Sequence, residues 1–210
     1  MLLGATVHNS GTWAMMIRDG KASLQSQLRN RVNALKIICH HTDLRTKNMV
    51  ASGIFQSKLQ YLLPLFRAAP DYLIRGIQVQ QMAAARAVIG PQGLRWSNAR
   101  VLNYLGWLNV KQHYVASTLT LAHKIVTTGK PANIYRSMVT PYPYPTRRAA
   151  RQELRAWAGT VRGRDRTALT QRTFQYQAIA YYNSIPAAYR TINQATFKSA
   201  AKKWARSNVI

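Results

Sequence analysis

The residues that could carry out catalysis are few and scattered in this sequence. Metal-dependent phosphoryl transfer needs carboxylates that converge on divalent ions, whereas Asp19, Asp43, Asp71, Glu153 and Asp165 stand singly along the chain. Asp43 and Asp71 each precede an apolar helical pattern, which favours a role as helix caps over a role as metal ligands. We therefore predict no catalytic carboxylate.

Zinc chemistry and nucleophilic catalysis are not predicted either. A zinc site uses about four Cys or His ligands at short spacings, whereas Cys39, His40 and His41 are consecutive and no second pair follows. His113 and His123 have no neighbouring Ser, Cys or Asp in a triad-like pattern. Cys39 is the only cysteine and falls on a predicted apolar helix face, which favours a buried thiol. The sequence predicts no metal site, no catalytic residue and no cofactor in this chain.

The chemistry that the sequence does favour is phosphate binding by arginine. The guanidinium group is a planar fork that bonds phosphate oxygens in pairs and stacks on bases. Aromatic residues follow the cluster, and arginine beside aromatics suits single strands and loops as well as duplexes. For Phe174, Tyr182 and Trp204 a place in the core is the favoured interpretation. The predicted nucleic-acid-binding residues are Arg147, Arg148, Arg151, Arg155, Arg162, Arg164, Arg166, Arg172, Lys198, Lys202 and Lys203.

The charge of the whole chain favours the same partner. Thirty Lys and Arg residues against five acids give a formal net charge of +25 in 210 residues. Such a surface repels itself unless a polyanion neutralises it, and nucleic acid is the commonest one. A merely solubilising charge usually comes with acids interspersed. An anionic membrane surface is the rival interpretation, but the cations do not collect on one amphipathic helix, and no apolar run approaches the about 18 residues of a membrane span.

The elements that must position these residues are predicted to be helices, so the predicted fold class is mainly α. Apolar residues make up 47% of the chain, enough for a core, and most recur at three- and four-residue steps. Asp43 and Ser97 are good N-cap types, and Gly90, Gly106 and Gly129 are placed to end helices. The first predicted buried face consists of Leu24, Leu28, Val32, Leu35 and Ile38.

A series of short motifs stands in a definite order along the chain. The motifs are Leu2-Leu3-Gly4 with Trp13, Phe55-Gln56-Ser57-Lys58-Leu59-Gln60-Tyr61, Ile77-Gln78 with Ala85-Arg86-Ala87-Val88-Ile89-Gly90, Leu102-Asn103-Tyr104-Leu105-Gly106-Trp107-Leu108, Thr146-Arg147, and Asn183-Ser184-Ile185-Pro186 with Phe197-Lys198. This order resembles the region that follows the palm in reverse transcriptases of non-LTR, LINE-like retrotransposons. Two positions depart from the family pattern, because Tyr182 replaces its usual Trp and Ile185 its usual Leu.

The resemblance implies a helical thumb-like region and a C-terminal extension that bind template and primer. The implied partners are RNA or DNA and an upstream polypeptide that carries palm and fingers. The family's catalytic aspartates would lie before Met1, and Mg²⁺ would be needed only where such a palm is supplied. The chain would then be either part of a truncated element or a fragment retained for binding.

The resemblance also divides the chain into four parts. Residues 1–18 would be the end of a palm-like segment with a short strand and turn, and residues 19–139 a helical thumb-like domain. Residues 140–146 are rich in Pro and Tyr and are predicted to form an extended hinge. Residues 147–210 would be a basic helical extension, whose last helix buries Phe197 and exposes its lysines.

A structural protein of a ribonucleoprotein, such as an organellar ribosome, is the second hypothesis. Very basic, acid-poor helical proteins are expected among the helices of ribosomal RNA. Both hypotheses predict an intracellular location, in the nucleus, a nucleoprotein particle or an organelle.

Overall fold

A computed structural model describes residues 13–40, 42–63, 69–139, 154 and 174–209. Over these residues the chain is helical and has no β-strand, which confirms the predicted mainly α fold class. The strand predicted near the N-terminus lies outside the described residues, and the chain is helical from Trp13 to Asp19. The chain divides into two compact units, Met1–Val110 and Lys111–Ile210.

The first unit contains helices α1 to α5. They are α1 (Leu24–Ile38), α2 (Leu44–Ala51), α3 (Ser57–Leu62), α4 (Asp71–Ile89) and α5 (Asn98–Leu105), with π-helical turns at Met15–Asp19 and Ser52–Gln56 and a 3-10 turn at Pro91–Leu94. The side chains of Asp43 and Ser97 each accept a bond from a first-turn amide, which confirms both as N-caps. The prediction that Asp71 caps α4 is wrong. Pro70 is the N-cap, and Asp71 is the first helical residue, where its charge suits the positive end of the helix.

Helix α1 packs against α4 through the predicted apolar face. Four of its five predicted members are buried, but Ile38 is 38% exposed because α1 ends at this residue and the chain turns away at Cys39. The four buried members are Leu24, Leu28, Val32 and Leu35.

Gly76 lies where α4 approaches the side chain of Gln25 in α1. Gln25 is buried, and its Nε2 donates to the carbonyl of Leu73 at 3.4 Å. A Cβ atom at position 76 would lie 2.1 Å from that Nε2. Position 76 therefore accepts a side chain only if Gln25 moves, although glycine is a poor helix former.

Helices α2 and α3 are joined by the π-helical turn at Ser52–Gln56. The amide of Ser57 donates to the carbonyl of Ser52, five residues earlier, so the segment stays helical while it accommodates an extra residue. Phe55 and Leu59 are fully buried on either side of this turn's end. The sequence predicts an ordinary helix here, and the π-helical turn is a finding of the structure.

Side-chain amides hold the segment that follows α5. Gly106 ends α5 in the left-handed conformation (φ 70°), as predicted. The Oδ1 of Asn48 accepts from Trp107 Nε1 at 2.8 Å, and the buried Gln81 donates from Nε2 to the carbonyl of Leu108 at 2.8 Å. These bonds satisfy polar groups that would otherwise be buried without partners.

The second unit contains helices α6 to α10. Helix α6 (Val110–Thr128) begins at the boundary residue. Its residues Ala122 and Ile125 are buried, whereas Leu121 is 41% exposed. The predicted hinge, residues 140–146, lies outside the described residues and stays a prediction. The helices are α6 (Val110–Thr128), α7 (Ala132–Met138), α8 (Phe174–Ser184), α9 (Ala187–Arg190) and α10 (Gln194–Asn208).

Candidate nucleic-acid interface

Helix α10 carries a stripe of exposed cations. Asn193 caps the helix by accepting from the amide of Thr196 at 2.9 Å. Phe197, Ala201 and Ala205 are fully buried and fix which side of the helix faces the core. Four cations of the helix are exposed, as predicted. They are Lys198, Lys202, Lys203 and Arg206.

The spacing of these cations makes the stripe continuous. Lys198, Lys202 and Arg206 follow one another at four-residue steps, each about 6 Å along the axis. Like charges four residues apart repel one another, and such pairs destabilise a helix slightly. The described residues of the second unit, 111–139, 154 and 174–209, contain no Asp or Glu to offset them. A linear polyanion would remove this repulsion.

His113 on α6 is affected by the same charge. Burial, and then the nearby positive charge of Lys202, lower its pKa to about 4. His113 is therefore neutral at physiological pH and does not add to the cationic stripe. Its Nε2 is buried and has no hydrogen-bond partner among the described residues.

An aromatic stack packs against the buried side of helix α10. The ring of His123 lies parallel to that of Phe197, with ring centroids 3.9 Å apart. His123 Nε2 lies 3.0 Å from the carbonyl of Ile192 and can only donate to it, which leaves Nδ1, 3.3 Å from the hydroxyl of Tyr182, as the acceptor. Burial lowers the pKa of His123, which favours this neutral tautomer. The histidine is thus a core residue that fixes the start of α10.

The aromatic side chains of α8 and α10 differ in exposure, and three of them, Phe174, Tyr182 and Trp204, were predicted to lie in the core. Tyr182 is 1% exposed, which confirms its place in the core. Phe174 and Trp204 are partly buried, and Tyr176 is 43% exposed.

Within the arginine-rich segment, residues 147–172, the structure describes one residue, Leu154. Leu154 is buried, and its amide donates to Asn183 Oδ1 while its carbonyl accepts from Asn183 Nδ2, both at 2.8 Å. Arg190 in turn donates to the carbonyls of Asn183 and Ile185 at 2.8 and 2.9 Å. All eight arginines of the predicted cluster lie outside the described residues. They are Arg147, Arg148, Arg151, Arg155, Arg162, Arg164, Arg166 and Arg172.

Asn183 and Arg190 are positioning residues that the sequence did not single out for this role. Leu154 stands between Arg151 and Arg155 in the sequence, and the two bonds join Leu154 to Asn183 near the end of α8. No local pattern connects Asn183 with a residue 29 positions earlier. The presence of Asn183 in a family-like motif was the one available signal.

A second group of cations and aromatics lies on the first unit, around the start of α5. The rings of Trp96 and Tyr104 meet edge to face with centroids 5.1 Å apart, and the Cζ of Arg100 lies 4.5 Å from the centroid of Trp96. Tyr104 is 55% exposed, and Arg100 is exposed as well. The four-residue steps from Trp96 to Arg100 to Tyr104 would have indicated this cluster in the sequence.

A groove of about 560 Å³ lies on the first unit between α4 and the start of α5. Its lining is mainly apolar, with Val79, Met82 and Leu94 among its residues, and it includes the cations Lys36 and Arg86. Lys36 is the one residue of this lining that could act as an acid, a base or a nucleophile, because the lining has no Asp, Glu, His, Cys or Ser.

Asp43 and Cys39, which were considered for catalysis, occupy a helix cap and a buried position. Hydrogen bonds from Thr46 lower the pKa of the Asp43 carboxyl, as expected for a capping carboxylate. Cys39 is buried, and burial raises the pKa of its thiol, which disfavours the reactive thiolate. Within the described ranges, no three His, Cys, Asp or Glu residues are grouped so as to hold a metal ion.

No protein-family model, curated protein or solved structure matches this chain. The described helices include none with the length and apolar character needed to cross a membrane.

Proposed function

We propose that this chain is the nucleic-acid-binding part of a non-LTR retrotransposon reverse transcriptase, the region that follows the palm. In this role it binds the phosphate backbone of template and primer, and polymerisation requires a palm that carries the catalytic aspartates. The observation that carries the proposal is the cationic stripe on α10, together with the absence of Asp and Glu from residues 111–139, 154 and 174–209. The ordered family-like motifs support the assignment to a reverse transcriptase among nucleic-acid-binding proteins.

The motif residues support a likeness of fold more than a likeness of site. Phe55, Ile77 and Phe197 are fully buried, and Trp107 and Ile185 are nearly so. Core residues at these positions would preserve the packing of a thumb-like helical region, whereas phosphate binding depends on the exposed cations between them.

The salt dependence of binding tests the proposal. In the variant Arg147→Gln/Arg148→Gln/Arg151→Gln/Arg155→Gln, affinity for an RNA–DNA duplex should fall for all sequences alike. The slope of log K against log salt should become shallower by about one unit for each phosphate that the variant no longer binds. Binding would be measured by fluorescence anisotropy over a series of salt concentrations.

A matched control removes the same charge from the first unit. The variant Lys21→Gln/Arg29→Gln/Lys36→Gln/Arg45→Gln changes four exposed cations and should alter the slope much less. Equal slopes in the wild type and the arginine variant would contradict phosphate binding by the arginine-rich segment. An equal weakening of binding in both variants would show that only the net charge of the chain matters for binding.

Primer extension tests the non-catalytic part of the proposal. The chain alone, with Mg²⁺, dNTPs and a primed template, should extend no primer. Extension that survives careful purification would show that polymerase chemistry resides in these 210 residues.

A structural protein of a ribonucleoprotein is the alternative, and the near absence of acids favours it as well. Stoichiometric sedimentation with ribosomal subunits in high salt would support this function over the first. A retroelement protein should instead dissociate from such particles as salt is raised, because its contacts are mainly to phosphates.

A further inference from the structure

The cluster of Trp96, Arg100 and Tyr104 on the first unit has no part in the phosphate interface described for the second. Tyr104 exposes more than half of its surface, although burying an aromatic ring away from water lowers the free energy. Its edge-to-face contact with Trp96 fixes the ring without covering it. The result is an aromatic surface whose orientation is set before any ligand arrives.

Arg100 adds a charge that is fixed in place beside the rings. Its guanidinium lies over Trp96 at 4.5 Å, in the range of a cation–π contact. Arg95 is exposed next to Trp96, and the chain has no acid between Asp71 and Glu153 that could offset either arginine from a neighbouring position in sequence. A ligand that suits this cluster brings an aromatic ring and a negative charge together.

We propose that Trp96, Arg100 and Tyr104 form a stacking site for an unpaired nucleobase, with Arg100 beside the phosphate of the same strand. This inference rests on the proposed nucleic-acid binding and adds a base contact to it. Nucleotides carry a flat aromatic base and a phosphate at a short separation, which is the combination that the cluster presents. The contact is indifferent to base identity, because each base has a π-face.

Abasic strands separate stacking from phosphate binding. The full chain would be titrated with a single-stranded oligonucleotide and with the same backbone lacking its bases. The wild type should bind the complete strand about tenfold more tightly, the size of one good stacking contact. Tyr104→Ala should abolish most of this difference, and Tyr104→Phe, which keeps the ring, should retain it.

Two further measurements complete the test. Tyr61→Ala removes a tyrosine on α3 of nearly equal exposure, 54% against 55%, and should leave the preference for the complete strand unchanged. A 2-aminopurine base in the strand should be quenched by the wild type and by Tyr104→Phe but not by Tyr104→Ala.

The outcomes distinguish this inference from the function on which it rests. Steep, salt-dependent binding with equal affinity for complete and abasic strands would overturn the stacking site and leave the phosphate interface intact. Equally tight binding of polyglutamate that Tyr104→Ala weakens would mean that the cluster serves an acidic protein instead of a base. Failure of the wild type to bind any strand would overturn both proposals.

Discussion

The carboxamide of Asn183 supplies a donor and an acceptor to the backbone of a single residue, Leu154. Both bonds lie in a partly buried position, so a bond to water cannot easily replace either of them. At the residue scale, the attachment of Leu154 to α8 therefore depends on the side chain of Asn183, which makes both bonds.

Asn183→Ala should destabilise the second unit by about 1–3 kcal/mol, because it leaves the amide and the carbonyl of Leu154 without partners. Hydrogen exchange at the Leu154 amide should accelerate in step. Asn183→Asp is the matched comparison, since it keeps an acceptor for the amide but places a negative oxygen against the carbonyl. An alanine variant with unchanged exchange at Leu154 would contradict this attachment.

His113 gives the protein a dependence on pH. Its pKa is lowered from 6.5 to about 4 in the folded chain, so the unfolded chain takes up a proton at a higher pH than the folded one. The free energy of unfolding should be constant above about pH 6.5, fall by up to about 3 kcal/mol as pH drops to about 4, and level off below that.

Urea titrations between pH 7 and pH 4 would measure this fall. The variant His113→Leu should lose less stability over that interval than the wild type does. His123, whose pKa is also lowered by burial, should account for part of the remainder. Identical pH profiles for wild type and variant would show that His113 is not the responsible group.

At the scale of elements, the contact between α1 and α4 balances helix propensity against packing. Glycine disfavours the helical state by about 1 kcal/mol relative to alanine, yet a Cβ at position 76 would meet Gln25 at 2.1 Å. Gly76→Ala should therefore destabilise the wild type by about 1 kcal/mol, because crowding in a packed interior costs about 1–3 kcal/mol and the gain in helix propensity offsets only about 1 kcal/mol of it.

The same substitution should stabilise the protein once Gln25 is shortened. In a Gln25→Ala background the three atoms nearest to a Cβ at position 76 are gone, so the gain in helix propensity from Gly76→Ala is no longer offset by this conflict. A double-mutant cycle by chemical denaturation measures the difference. Equal effects of Gly76→Ala in both backgrounds would exclude the steric conflict.

Helical periodicity predicted much of this packing, and the exceptions have local causes. Leu28 and Leu35 follow the pattern because the helix continues through them, whereas Ile38 stands at the end of α1, where the periodicity no longer determines the direction of a side chain. Pro70 takes the cap position instead of Asp71, because proline has no backbone amide that needs a partner at the helix start.

At the scale of the whole molecule, net charge opposes compactness. A formal charge of +25 raises the free energy of both units, and salt screens that repulsion. The stripe on α10 concentrates it in one place, so that changes there should act on stability as well as on binding.

Raising salt from about 0.01 M to about 0.15 M should increase the Tm by at least about 2 °C, as screening shortens the range of the repulsion. The variant Lys198→Gln/Lys202→Gln/Lys203→Gln should start from a higher Tm in low salt and gain less. Circular dichroism melts of both proteins would decide this. A Tm that falls with added salt would contradict a surface dominated by self-repulsion.

The candidate interface was only partly accessible from the sequence. Composition and helical phase predicted that Lys198 and Lys202 face outward, because a buried Phe197 fixes the side of the helix. They could not predict the bonds from Asn183 to Leu154, which depend on tertiary contact across 29 residues. The cluster around Trp96 was missed because its spacing begins before the helix that carries its other members.

The π-helical turn at Ser52–Gln56 determines the angular phase of everything that follows it up to Leu62. One residue of an α-helix corresponds to a rotation of about 100°, and the extra residue in this turn offsets α3 from α2 by that amount. Gly53 has open space around it, so a Cβ could be added there without a steric penalty. Deletion of Gly53, by contrast, would rotate Leu59 out of the core. The spacing between α2 and α3 is therefore less tolerant of a change in length than of most changes in residue type.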